Sequence, residues 1–169
     1  MLYTVPLKKA GQSAIQLVGS KAWHLGRLIQ ADIRIPDGFV VTSQALERFR
    51  HGNDLARITG EDEIGREILR ASMPADVAAE IAAAYQFLQT SAKQPPCPVA
   101  VRSSSSAEDL PESSFAGQYD TILNVRSAAQ LEESIKRCWA SMYSPQVKQY
   151  VRQKESLPRF PPWQCSSSK

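Results

Sequence analysis

The chain has 169 residues, with 20 Lys and Arg against 17 Asp and Glu and a formal net charge of +3. At 43% hydrophobic and 22% charged residues it has the composition of an ordinary globular domain, not of a disordered or fibrous chain. No run approaches the roughly 18 apolar residues of a membrane span, and the amino terminus lacks the apolar stretch of a secretory signal, so a cytoplasmic location is expected.

Gly19-Ser20 precedes a helical stretch over residues 21–31, in which Ala22, Leu25, Leu28 and Ile29 recur at helical spacing. Ile33-Arg34-Ile35-Pro36-Asp37-Gly38 reads as a strand and turn, and Phe39-Val40-Val41 as a short β-rich run. Thr42 or Ser43 is suited to cap the next helix, which extends to about Arg50. Residues 51–61 are polar and irregular, and a helical pattern returns at 63–71. The strongest helix covers residues 74–92, with Pro74 in its first turn and Val77, Ile81, Tyr85 and Leu88 along one face. Pro95, Pro96 and Pro98 end it.

Val99-Ala100-Val101 then reads as a buried strand and residues 119–125 as a second one. The segment between them, 103–118, is rich in Ser, Pro and Gly and too polar for a core. It exceeds the two to five residues usual for a hairpin loop, which marks it as functional. Ser127 and Gln130 form a capping box for a helix over 128–143, whose apolar stripe is Leu131, Ile135, Cys138, Trp139 and Met142. Ser144-Pro145 restarts a helix through Val151, and from residue 156 the Pro- and Ser-rich sequence is expected to be poorly ordered. The pattern predicts an α/β (α+β) domain over residues 1–155, with a small mixed sheet flanked by helices, and a tail at 156–169.

Several chemistries are excluded. Cys97, Cys138 and Cys165 lie 41 and 27 residues apart, with no CxxC and no nearby His pair, which argues against disulfides and zinc. No GxSxG elbow exists, and His24 and His51 both read as surface residues. Residues 126–169 sum to +5, but without a long like-charge run or interleaved aromatics, so nucleic-acid binding is not expected.

Two segments stand out. Arg102 ends an apolar strand, where a rigid element can aim its guanidinium at an anion. The serines at 103–106 let backbone approach a phosphate, and Gly117 permits close approach. The plainer alternative pairs Arg102 with Glu108, Asp109 or Asp120 in a solvated loop. Gly19-Ser20-Lys21 is a glycine turn feeding a helix with a lysine beside it, an arrangement that suits anions, although a lysine there is often only exposed. It is not a P-loop, because the full GxxxxGK[ST] pattern is absent.

Taken together, these segments resemble a known family. Val18-Gly-Ser-Lys-Ala-Trp-His-Leu-Gly-Arg-Leu, Ile35-Pro-Asp-Gly-Phe-Val-Val-Thr, the block from Val99 to Val125 and Arg137-Cys-Trp-Ala-Ser-Met-Tyr-Ser are similar to the amino-terminal ATP-binding domain of the phosphoenolpyruvate synthase, pyruvate phosphate dikinase and rifampicin phosphotransferase family. The resemblance covers roughly residues 15–150. It implies the first lobe of an ATP-grasp fold, with Lys21 and Arg102 on the nucleotide phosphates and Gly117 and Thr121 also at the nucleotide. It further implies that Mg²⁺ ligands lie in a second lobe, and that a phosphoryl group passes from ATP to a catalytic histidine in a separate phosphohistidine domain. No catalytic residue or metal ligand is expected within this chain, which would be inactive alone. Where the family carries Gly-Gly-Lys-Gly-Ala-Asn, this chain has Gly-Ser-Lys-Ala-Trp-His. The rival expectation is a non-catalytic remnant serving as a nucleotide-binding or protein-interaction module.

Overall fold

A computed structural model describes residues 1–58, 60–92, 96–103 and 121–144. In chain order the elements are β1 (Thr4–Pro6), α1 (Leu7–Ala10), α2 (Ile15–Val18), α3 (Ser20–Gln30), β2 (Phe39–Val41), α4 (Ser43–Gly52), a 3₁₀ turn (Leu55–Arg57), α5 (Glu61–Arg70), α6 (Ala75–Ser91), β3 (Val99–Arg102), β4 (Thr121–Val125) and α7 (Ala128–Ser141). Helices with a small amount of sheet are the class the sequence predicts. The described strands form two separate antiparallel pairs, β1 with β2 and β3 with β4.

The amino-terminal half is built around α3. Val5, Ala10, Val18, Ala22 and Val40 form a small core between α3, α1 and the β1–β2 pair. The approach of α1 to α3 depends on two glycines. A Cβ at Gly26 would lie 2.2 Å from the Gly11 amide nitrogen, and one at Gly11 would lie 2.7 Å from that of Arg27. Those distances are far inside van der Waals contact, and the neighbouring atoms are backbone, which cannot swing aside.

Residues 33–35 are not a strand. Asp32, at φ 58°, lies in the left-handed region just past the end of α3. The Asp32 amide donates to the Ile29 carbonyl and the Ile33 amide to that of Leu28, both at 3.1 Å. This is a Schellman closure, which spends the Ile33 donor on the helix end. Pro36 then has no amide donor to offer a ladder.

The larger core joins α4, α5, α6 and α7. Phe49 and Ile68 are fully buried, Val77, Ile81 and Tyr85 line one face of α6, and Leu131, Ile135 and Trp139 line α7. Phe49 and Trp139 meet as tilted rings with centroids 5.1 Å apart. Cys138 is buried on α7, within the predicted stripe. The Ser127 hydroxyl accepts from the Gln130 amide and the Gln130 side chain accepts from the Arg126 amide, so the capping box forms one residue wide of its ideal pattern. Lys136 of α7 donates to the Leu69 and Ala71 carbonyls at 3.3 and 3.1 Å, satisfying the carboxyl end of α5. The predicted loop at 103–118, the helix restart at 145–151 and the tail at 156–169 lie outside the described residues, apart from Ser103.

Candidate functional site

The β3–β4 pair rests on α7 and the larger core with Val99, Val101, Ile122 and Val125 facing inward. Between the Val101–Ile122 and Val99–Val125 pairs, β4 carries one extra residue. Asn124 absorbs it at φ 60°, a conformation that asparagine tolerates better than most side chains. Without this bulge, Val125 would turn to solvent; with it, Val125 is 3% exposed. The bulge therefore fixes which side of the pair is outward. Arg102 and Thr121 are directly opposite one another at the end of the pair next to residues 104–120, and both are exposed.

The start of α3 meets that same end. Gly19 has φ 79° and ψ 158°, a region that only glycine occupies without strain. It turns the chain so that Ser20 enters the helix buried, at 1% exposure, and Lys21 follows in the first turn. The Lys21 Nζ donates a 3.0 Å hydrogen bond to the carbonyl of Ser103, 82 residues away in sequence and adjacent to Arg102. Among the predicted site residues, Lys21, Arg102 and Thr121 thus converge from three elements. Gly117 lies outside the described residues, as do Glu108, Asp109 and Asp120, the alternative partners of Arg102. Ser20 in place of the family's glycine leaves the turn intact, because the left-handed residue is Gly19.

Chemically, the arrangement offers an exposed guanidinium, a hydroxyl opposite it and an ammonium anchored next to them. The Lys21 ammonium is oriented by a backbone carbonyl, and a lysine ammonium carries three donors in all. A planar guanidinium at a strand end suits a phosphate edge. Among the described residues, no group of three or more His, Cys, Asp or Glu side chains could hold a metal ion. His24 and His51 are both exposed. His24 meets the edge of Trp23 at 5.0 Å between centroids, and Arg27 stacks over the same indole at 5.5 Å.

The Ser103 carbonyl is the participant that sequence reasoning missed. It is a backbone group, so no side-chain signal could have revealed it beyond its position next to Arg102.

Residues 15–160 match the pyruvate phosphate dikinase AMP/ATP-binding domain. The chain is 35% identical over 151 residues to the uncharacterized phosphotransferase YvkC of Bacillus subtilis (strain 168), an alignment spanning 89% of this chain and 17% of that protein. It is 36% identical over 162 residues to the phosphoenolpyruvate synthase of Aeropyrum pernix, covering 85% of this chain and 20% of the synthase. It is also 36% identical over 168 residues to the rifampicin phosphotransferase of Streptomyces sviceus, covering 89% and 19%. The chain thus spans about a fifth of the length of these relatives. No helix among the described residues is long and apolar enough to cross a membrane.

Proposed function

This chain belongs to the pyruvate phosphate dikinase AMP/ATP-binding domain family, and from that premise we propose that Lys21 and Arg102 hold the phosphates of ATP, with Gly117 and Thr121 also at the nucleotide, in a dikinase-type phosphotransferase. The observation that supports the reading is the 3.0 Å bond from Lys21 to the carbonyl of Ser103, which joins the first motif to the backbone next to Arg102 in the second. In phosphoryl transfer the protein contributes positioning and charge stabilisation more than covalent chemistry. Lys21 and Arg102 provide both, and Thr121 supplies a hydroxyl that can donate to an oxygen of the same chain of phosphates.

The remainder of the reaction belongs to parts beyond these residues. In this reading a second lobe, in an ATP-grasp arrangement, supplies the ligands of Mg²⁺, which screens the phosphate charge when bound. A phosphoryl group of ATP then passes to a histidine of a separate domain, with the P–O bond to the nucleotide breaking as the N–P bond forms. The cell interior, where ATP is abundant, is the compartment that fits.

Nuclear magnetic resonance of the chain titrated with ADP and with ATP tests the nucleotide reading. With only one lobe's contacts available, binding is expected to be weak, of order 1 mM, with shifts confined to Lys21, Arg102, Ser103 and Thr121 and their neighbours. The absence of such shifts up to about 10 mM nucleotide, or equal shifts spread over α5 and α7, would sink it.

A further inference from the structure

The bond from Lys21 to Ser103 has a role separable from the charge of the lysine. The acceptor is a backbone carbonyl directly following Arg102, at the point where β3 ends. Arg102 is exposed and its strand is only four residues long, in a two-stranded sheet whose last cross-strand pair is Arg102 with Thr121. A pair at the end of so short a ladder frays readily. The inward residues Val99 and Val101 hold the other part of β3 to the core, but beyond Val101 no buried side chain of β3 holds the strand. The lysine bond does so from across the molecule. It arises on α3, whose position is fixed by the Gly11–Gly26 backbone contact and the buried Ala22.

We propose that Lys21 is a positioning residue for Arg102: through the Ser103 carbonyl it pins the end of β3 to α3 and so holds the Arg102–Thr121 pair formed before any nucleotide arrives. This rests on the nucleotide-site reading for its purpose, though not for its physics. The site is then organised in advance, and the ordering cost of the strand end does not fall on the binding step.

Amide hydrogen exchange, read residue by residue in the nucleotide-free chain, tests it. Lys21→Met keeps the length and removes the donors. It is expected to speed exchange about tenfold at Arg102, Ser103 and Thr121, with exchange in α6 and α7 and the melting temperature unchanged. Lys21→Arg, which restores long-reach donors, is expected to recover most of the protection. Unchanged exchange at those three amides in Lys21→Met overturns the proposal, and so does a loss that Lys21→Arg leaves in place. The ADP titration is a separate arm. If wild-type protein shows no ADP-induced shifts while the exchange effect is present, the nucleotide reading falls and the tether stands.

Discussion

Two polar clusters in this molecule each tie a strand to a distant helix, and they do so with opposite chemistry. At the amino terminus, carboxylates receive the donors. The Glu80 carboxylate accepts from the Tyr3 amide at 2.9 Å, from the Thr4 amide at 2.6 Å and from the Thr4 hydroxyl at 3.0 Å. Asp76 accepts from the Tyr3 hydroxyl at 3.0 Å and from the Arg48 Nε at 2.9 Å. At the other cluster, the described bond of Lys21 is to a carbonyl, and Arg102 stands exposed on the outward side of its strand. In the first cluster one carboxylate pairs with Arg48 and the other satisfies the amides of Tyr3 and Thr4 at the start of β1, as a structural joint should. In the second, the lysine is tied to a backbone carbonyl and the Arg102 side chain is exposed. The described acceptors differ, carboxylates in the first cluster and a backbone carbonyl in the second.

The comparison breaks most visibly through Arg102. With this chain joined to the rest of a phosphoenolpyruvate synthase, Arg102→Ala is expected to lower ATP-dependent phosphorylation of the carrier histidine by about 10²-fold or more, equivalent to about 2.7 kcal/mol of charge stabilisation. The melting temperature should hardly move. Arg102→Lys is the finer probe, since it retains charge and loses the planar fork. Near-normal turnover in Arg102→Lys would remove the residue from the site, and a large fall in melting temperature would assign it to the structural class instead.

Gly26→Ala acts on stability first. The added Cβ meets backbone at 2.2 Å, so α1 and α3 must separate, at a cost of about 3 kcal/mol, the upper end for overpacking. Because α3 carries Lys21, this change should disturb both properties, lowering the melting temperature and loosening the Arg102–Thr121 pair in hydrogen exchange. A stable variant with unaltered exchange there would show that α3 does not govern the site's geometry. Glu80→Ala should cost about 1–2 kcal/mol, since it strips the acceptor from two amides and a hydroxyl that are only partly buried. Nucleotide-induced shifts should be untouched. If they weaken in step with stability, the two clusters are coupled and the separation drawn between them fails.

The sequence disclosed those parts of the molecule whose signals are local and repetitive. The apolar stripes of α6 and α7 run over enough turns to be read directly, and Val77, Ile81 and Tyr85 are buried as the spacing predicts. β1, α1 and α2 span three or four residues each, too short for any period to register. Ile33 to Ile35 imitated a strand because composition does not reveal that the Asp32 turn has already committed the Ile33 amide to Leu28. The bulge at Asn124 was equally hidden, since nothing in Thr-Ile-Leu-Asn-Val announces an extra residue. At the site, the side-chain types and the motif resemblance pointed to Lys21, Arg102 and Thr121. Their meeting was not visible, because it runs through a backbone carbonyl that carries no residue identity.

The smallest expected effect, and the one that most directly separates the clusters, is on pH dependence. Burial pushes the Asp76 carboxyl up, but hydrogen bonds from Arg48, Tyr3 and the Val77 amide, with the Arg48 charge, outweigh it and hold the group below the ordinary carboxylate range. Its pairing therefore stabilises the fold above the unfolded value of about 4, and that contribution is lost as pH falls through the lowered folded value. Tyr3 behaves in the opposite sense. Burial first, and then its bond to Asp76 and the carboxylate charge, raise its phenol. Its contribution is complete below the unfolded value of about 10 and is lost as pH rises through the raised folded value. The melting-temperature difference between wild type and Asp76→Asn should thus be greatest near neutrality and shrink below about pH 4, while that between wild type and Tyr3→Phe should shrink above about pH 10. The Asp76 side chain is partly open to water, so the differences should be a few degrees at most and should diminish with salt. Differences that stay constant from about pH 3 to 11 would mean that Asp76 and Tyr3 are not joined in solution. The carboxylate cluster would then have no more claim to be a structural joint than the cationic one.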